Sequence, residues 1–272
     1  MCLTSPPYWR VRDYGHKSQI GLENLPTYID QLVSVFREVR RCLADDGVLW
    51  LNLASCYTGS ANTGGDDAKQ DSAVRVVGIP TKVVPELGSK QLVGVPWAVA
   101  FALQADKWRL RSEVIWHKPG PMPENLSDRP TRAHEQVFLL SKSEDYFYDW
   151  KAIATRAVSG RAPSKIGRSK VQHSESGAPA QSEHVNRRSV WSIVNGGVSV
   201  DHAAAMPEEL ASLCIQSGSR LGDTVLDPFF GTGTTGRVAE ALGRNWIGVE
   251  LNPQYGAMAN DLNSQVGLKW RL

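Results

Sequence analysis

The chain has 272 residues, 42% of them hydrophobic and 21% charged, with a formal net charge of +2. That composition belongs to an ordinary globular protein large enough to bury a sizeable core without disulfides, and it excludes a low-complexity or fibrous chain. The apolar runs are all shorter than a membrane span needs and no basic-then-apolar leader opens the chain, so a cytoplasmic, non-membrane protein is expected. Cys2, Cys42, Cys56 and Cys214 are scattered without a CxxC pair, which argues against a zinc site or a disulfide framework and for a reducing compartment. No metal is expected.

In chain order, the first feature is TSPPYW at residues 4 to 9. Pro6 and Pro7 fix their φ angles and offer no backbone N–H, and Ser5, before a proline, is pushed out of the helical region. A stiff, extended turn results, with free carbonyls and two flanking aromatics, Tyr8 and Trp9. Such a turn suits a site that grips a flat polar ring, although by itself it also reads as a strand-ending turn.

Ile29, Leu32, Val33, Phe36, Val39 and Leu43 follow at helical spacing, which predicts a helix opened by Pro26 and closed before Gly47. VLWLNL at 48–53 predicts a buried strand, and 58–73 has loop composition. Residues 95–104 predict a helix; 110–117 and 135–141 predict strands. From Lys151 to Arg188 the chain carries eight basic residues against two acidic ones, in a stretch rich in Ser, Gly, Ala and Pro. That reads either as a solvated loop or as a polyanion-binding insertion, and charge alone does not choose. Residues 206–218 then predict a helix, TVLD at 224–227 a strand, 235–243 a helix, 246–251 a strand, and a last helix starts near Pro253. Alternating strands and helices predict an α/β protein with a doubly wound, mostly parallel sheet.

DPFFGTGTTG at 227–236 lies between a predicted strand and helix, and Glu250 follows Gly231 by 19 residues at the next strand end. Gly231, Gly233 and Gly236 let a backbone approach a ligand at a helix N-terminus, and the acid can accept hydrogen bonds from ribose hydroxyls. The loop lacks the lysine of a triphosphate-binding loop. A dinucleotide site of an NAD-dependent oxidoreductase rests on the glycine spacing alone. With 22 residues after Glu250, the other strands of the sheet have to come from the N-terminal part of the chain.

TSPPYW near the start with DPFFGTGTTG near the end resembles the β-class DNA amino-methyltransferases. The resemblance extends through residues 92–149, RRSVWSIV and DHAAAMPEELASLCI. It implies a Rossmann-like fold dependent on S-adenosylmethionine, with residues 1–151 and 189–272 forming the catalytic domain and 152–188 a target-recognition insertion. Serine in first place of the catalytic motif is typical of the branch that methylates N4 of cytosine; methylation of N6 of adenine is the alternative.

By this resemblance Ser5, Pro6, Pro7 and Tyr8 form the target-base site, with the Ser5 hydroxyl and Pro6 carbonyl accepting the amine protons and Tyr8 stacking on a flipped base. Asp227, Phe229, Gly231, Gly233 and Thr234 line the amino-acid end of the cofactor, and Glu250 takes the ribose hydroxyls. Double-stranded DNA is the expected partner, contacted by Arg161, Lys165, Arg168, Lys170, Arg187 and Arg188. A restriction endonuclease is a further expected partner, and a monomer or homodimer the expected state. His117 and His134 read as structural, Trp9 as either core or base wedge, and Arg129 and Arg132 as phosphate ligands or partners of Asp128 and Glu135.

The chain departs from the family pattern at two places. Only Met1 to Leu3 precede the catalytic motif, where members carry some twenty residues, so the first strand is expected to fray. Ala54–Ser55 stands where a Gly-Asp pair is common. A truncated, inactive DNA-binding protein is therefore a third reading.

Overall fold

The alternation within VLWLNL decides how the sheet is covered. In strand β2 (Val48–Leu53), Leu49, Leu51 and Leu53 join one apolar cluster while Val48 and Trp50 join another. The same split divides Phe138 and Leu140 from Val137 and Leu139 in β4 (His134–Ser141), and Cys2 from Leu3 in β1 (Cys2–Thr4). One face is covered by α1 (Leu25–Cys42) and α2 (Val95–Ala105), the other by α3 (Glu208–Gly218) and α4 (Thr234–Ala241). The computed structural model describes residues 1–11, 14, 16–59, 84, 87–121, 123–124, 127–156, 184–194 and 206–269.

Seven strands form the sheet. Added to β1, β2 and β4 are β3 (Arg109–His117), β7 (Val190–Ser192), β8 (Thr224–Asp227) and β9 (Asn245–Gly248), in the order β7-β3-β4-β2-β1-β8-β9. Only β4 runs against the others, so the sheet is mostly parallel and covered by helices on both faces. Between β4 and β7, β5 (Thr155–Arg156) and β6 (His184–Val185) pair antiparallel and bring the two ends of the 157–183 stretch together. Helix α5 (Pro253–Lys269) ends the described chain.

Several boundaries follow from capping. Asn24 accepts a hydrogen bond from the Thr27 N–H at 2.9 Å, so α1 begins one residue before Pro26. Tyr28 joins Leu32, Phe36 and Val39 on its fully buried stripe, whereas Ile29 and Val33 sit at its margin. Strand β9 ends at Gly248, short of the expected Leu251. Past it, Glu250 turns its carboxylate onto the N–H groups of Gly231 and Asn252, at 2.7 and 2.8 Å, and the chain curls into α5.

The leading strand does not lie loose. Cys2, Leu3 and Thr4 are fully buried between β2 and β8. The Met1 ammonium donates to the Thr224 carbonyl at 3.0 Å, and the Leu226 N–H donates to the Met1 carbonyl at 2.9 Å. The expected fraying is corrected by this two-sided pairing.

Phe230 stacks on Trp246 with ring centroids 5.1 Å apart, directly over Gly248. A Cβ at Gly248 would lie 2.3 Å from Phe230 Cγ. Gly248→Ala therefore forces the ring to move, at a cost of about 1–3 kcal/mol. The expected outcome is a thermal midpoint lower by roughly 2–10 °C, read by calorimetry.

Candidate active site

Strands β1 and β8 lie side by side and parallel, and the chain leaves both at the same end of the sheet, one into SPPY and the other into the glycine loop. In open α/β sheets ligands bind in the crevice beyond those strand ends. The junction is tied across 223 positions of sequence: Thr4 Oγ1 donates to Asp227 Oδ1 at 2.6 Å. The Phe229 N–H donates to the same oxygen at 3.0 Å, and Thr235 Oγ1 donates to Oδ2 at 2.7 Å. Asp227 thus joins β1, its own loop and the start of α4. Burial pushes its carboxyl up to about 6, against those hydrogen bonds and with a smaller push from the Glu250 charge.

Gly231 and Gly233 have φ of +54° and +80°, a region open to glycine at little cost, and Gly233 caps α4. The loop thereby wraps a cavity of about 350 Å³. Asp227, Phe229, Gly231, Thr234 and Glu250 line it, as does Ser5 from the SPPY turn, whereas Gly233 is not among its lining residues. Each Glu250 oxygen takes one backbone N–H, which fixes the carboxylate and leaves further lone pairs for ligand hydroxyls. Among the described residues that line the cavity are two carboxylates and no lysine or arginine. Such a lining suits a cationic ligand and disfavours a pyrophosphate.

The SPPY turn is held from both sides. Tyr28 Oη donates to the Pro7 carbonyl at 2.8 Å, while among the described residues no hydrogen bond reaches the Pro6 carbonyl. Pro6 and Tyr8 do not line the cavity, although Pro7 does. Tyr8 Oη donates to Glu135 Oε2 at 2.6 Å and accepts from Asn52 Nδ2 at 2.8 Å and from Ser5 Oγ at 3.2 Å. Asn52 also donates to Glu135 Oε2 at 3.0 Å, and Lys118 Nζ is bonded to Glu135 Oε1. Burial, then the Glu135 charge, raise the Tyr8 phenol well above its ordinary value, so it remains a donor.

Sequence reasoning missed Asn52, Glu135 and Lys118 as site residues. A signal existed: each ends an alternating apolar row, Val48-Trp50-Asn52 on β2, Leu139-Val137-Glu135 on β4 and Val114-Trp116-Lys118 along β3. A polar side chain at the end of such a row, where strands reach the ligand crevice, is a site candidate. Also missed were Tyr14, His16, Ser18, Gln19 and Ile20, which line the cavity; Asn252 Nδ2 donates to the Tyr14 carbonyl at 3.2 Å.

Other residues singled out in the sequence take the following places. Trp9 is core: 1% exposed, with its indole donating to the Glu23 carbonyl at 2.8 Å. Arg129 bonds to Glu124 at 2.6 Å and lies over the Tyr57 ring, Arg132 bonds to the Ser55 carbonyl, and Asp128 pairs with Lys90 at 2.9 Å. Glu135 is thus Lys118's partner rather than an arginine's. His117 meets Ser192 Oγ at 3.0 Å on the sheet edge, and neither it nor His134 lines the cavity. Arg187 donates to the Ile153 carbonyl at 3.1 Å beside the β5–β6 ribbon, and Arg188 is exposed. Arg161, Lys165, Arg168, Lys170 and most of the 58–73 loop lie outside the described residues. No helix among the described residues is long and apolar enough to cross a membrane.

Comparison with known proteins agrees with this geometry. The family model N6_N4_Mtase, described as DNA methylase, matches residues 1–261. The chain is 45% identical over 262 residues to the Type II methyltransferase M.SmaI of Serratia marcescens, covering 95% of this chain and 82% of that one. Among solved structures, the PvuII DNA methyltransferase (cytosine-N4-specific) superposes with a TM-score of 0.64 at 19% identity, over 95% of this chain and 77% of its own. A DNA modification methylase of Thermus thermophilus, complexed with S-adenosyl-L-methionine, superposes with a TM-score of 0.59 at 22% identity, over 97% and 85%. These two likenesses are of fold.

Proposed function

The chain belongs to the N6_N4_Mtase family of DNA methylases, and from that premise we propose that it transfers a methyl group from S-adenosylmethionine to N4 of cytosine in double-stranded DNA. The observation that carries the choice of cytosine is a serine at the first position of SPPY, a residue that lines the cofactor cavity. A neutral hydroxyl can accept one N–H of the amine, and the Pro6 carbonyl, reached by no hydrogen bond among the described residues, can accept the other.

The chain's own residues fit S-adenosylmethionine. Two carboxylates face a ligand that carries an ammonium and a sulfonium, and the free N–H groups at the start of α4 suit its carboxylate. Glu250, fixed by two backbone N–H groups, has acceptors left for ribose hydroxyls. When bound, the cofactor supplies an activated methyl group. The protein orients the amine: the Ser5 hydroxyl and the Pro6 carbonyl accept hydrogen bonds from its two N–H groups, which turns the nitrogen lone pair toward the cofactor side, and the proton lost on methylation passes to solvent. Thr4–Asp227 fixes the distance between the two halves of the site. No enzyme nucleophile is needed.

We read residues 152–188 as the target-recognition insertion, entered and left through the β5–β6 ribbon. In this reading Arg188, with Arg161, Lys165, Arg168 and Lys170, meets phosphates, and Arg187 braces the base of the insertion. The likeness to Type II methyltransferases supports pairing with a restriction endonuclease of the same specificity. The test is incubation of unmethylated genomic DNA with enzyme and S-adenosylmethionine, followed by mass spectrometry of the nucleosides. N4-methylcytosine is expected; N6-methyladenine in its place would overturn the base assignment.

A further inference from the structure

We propose that Glu135 is a positioning residue that sets the direction of the Ser5 hydroxyl, acting through Tyr8. The inference rests on the methyl-transfer reading above. Glu135 is 8% exposed and ion-paired with Lys118, and a carboxylate only accepts hydrogen bonds. The single Tyr8 proton is committed to it at 2.6 Å. Both remaining acceptor positions of the Tyr8 oxygen are filled, one by Asn52 at 2.8 Å and one by Ser5 at 3.2 Å. The Ser5 proton therefore points inward to Tyr8, away from the cavity that Ser5 lines. Its lone pairs are left for the cavity side.

A target amine can only donate in its plane, so a serine whose proton faced the cavity would repel it. The network keeps Ser5 an acceptor before any base arrives, which is the preorganisation that lowers a barrier without reorganisation cost. Lys118, over the Trp116 ring at 4.4 Å, is bonded to Glu135 and holds it in place. Asn52 bridges Tyr8 and Glu135 and spans the polar ends of β2 and β4.

The test is a double-mutant cycle of Glu135→Gln and Tyr8→Phe, read as kcat for single methyl transfer, KM for DNA and S-adenosylmethionine affinity. A glutamine can donate to Tyr8, which reverses the Tyr8 proton toward Ser5. Glu135→Gln is expected to lower kcat roughly 10- to 100-fold with cofactor affinity unchanged. In the Tyr8→Phe background, where the path to Ser5 is gone, the same change is expected to have less than about a threefold effect. Glu135→Asp, still an acceptor, is expected to recover part of the rate. Full rate in Glu135→Gln, or equal losses in both backgrounds, would overturn the inference while the wild type still methylates DNA. A wild type that methylates no DNA would overturn this inference and the reading beneath it together. Cofactor affinity reports folding in every variant.

Discussion

Ser5→Ala is expected to lower methyl transfer at least about 100-fold and to leave S-adenosylmethionine affinity within about a factor of two. The size follows from the proposed role of the hydroxyl, as one of two acceptors for an amine whose lone pair is otherwise delocalised into the ring. The selectivity follows from the geometry. Ser5 and Glu250 both line the cavity, and the one hydrogen bond of the Ser5 side chain among the described residues, to Tyr8 at 3.2 Å, is the longest of that network's contacts. Tyr8 keeps its bonds to Glu135 and Asn52 when Ser5 is lost. The fold and the cofactor site therefore survive, and the loss appears in kcat. Full activity in Ser5→Ala, measured with labelled cofactor on unmethylated DNA, would sink the proposed role.

The second large effect concerns Asp227. Its carboxyl titrates at about 6 rather than at the ordinary 3.8, because burial outweighs the three hydrogen bonds it accepts. The native state thus holds a proton between about pH 4 and 6 that the unfolded chain has released. Stability from this group is greatest below pH 4, falls as pH rises to about 6, and is level above that. The shift corresponds to on the order of 3 kcal/mol. Cofactor binding runs the other way. A cationic ligand favours the carboxylate, so affinity is expected to rise between pH 5 and 7 and binding near pH 6 to release a proton. Asp227→Asn is expected to weaken binding more than about tenfold at pH 7.5, because the charge goes and the amide NH2 takes the place of Oδ2, facing the Thr235 hydroxyl as a competing donor while Oδ1 still accepts from Thr4 and the Phe229 N–H. It is also expected to flatten both pH slopes. Calorimetric titration in buffers of different ionisation enthalpy reads all of this; pH-independent binding by the wild type would contradict it.

Why some of this was legible in the sequence is visible at particular residues. The sheet could be read because VLWLNL and EQVFLLS are buried on both faces, and TVLD announces the glycine loop by ending on an acid. The placement of SPPY beside that loop needed the strand order. Thr4 and Asp227 stand at opposite ends of the chain, and pairing of β1 with β8 is a long-range choice with no local signature. The resemblance implies a Tyr8 ring stacked on a base, and nothing in it points to Asn52 and Glu135, which hold the Tyr8 hydroxyl in a bonded network. Those two partners sit in rows that read as ordinary strands until their last residue. Trp9 could not be assigned from sequence, since a core indole and a base wedge are the same residue type.

Cofactor and target amine are expected to meet at the junction of β1 and β8, and a crystal structure with S-adenosylhomocysteine tests this most directly. The ribose hydroxyls are expected on Glu250, the amino-acid end against Asp227 and the start of α4, and the sulfur facing Ser5. A ligand bound with its sulfur turned away from Ser5, or outside this cavity, would contradict that arrangement.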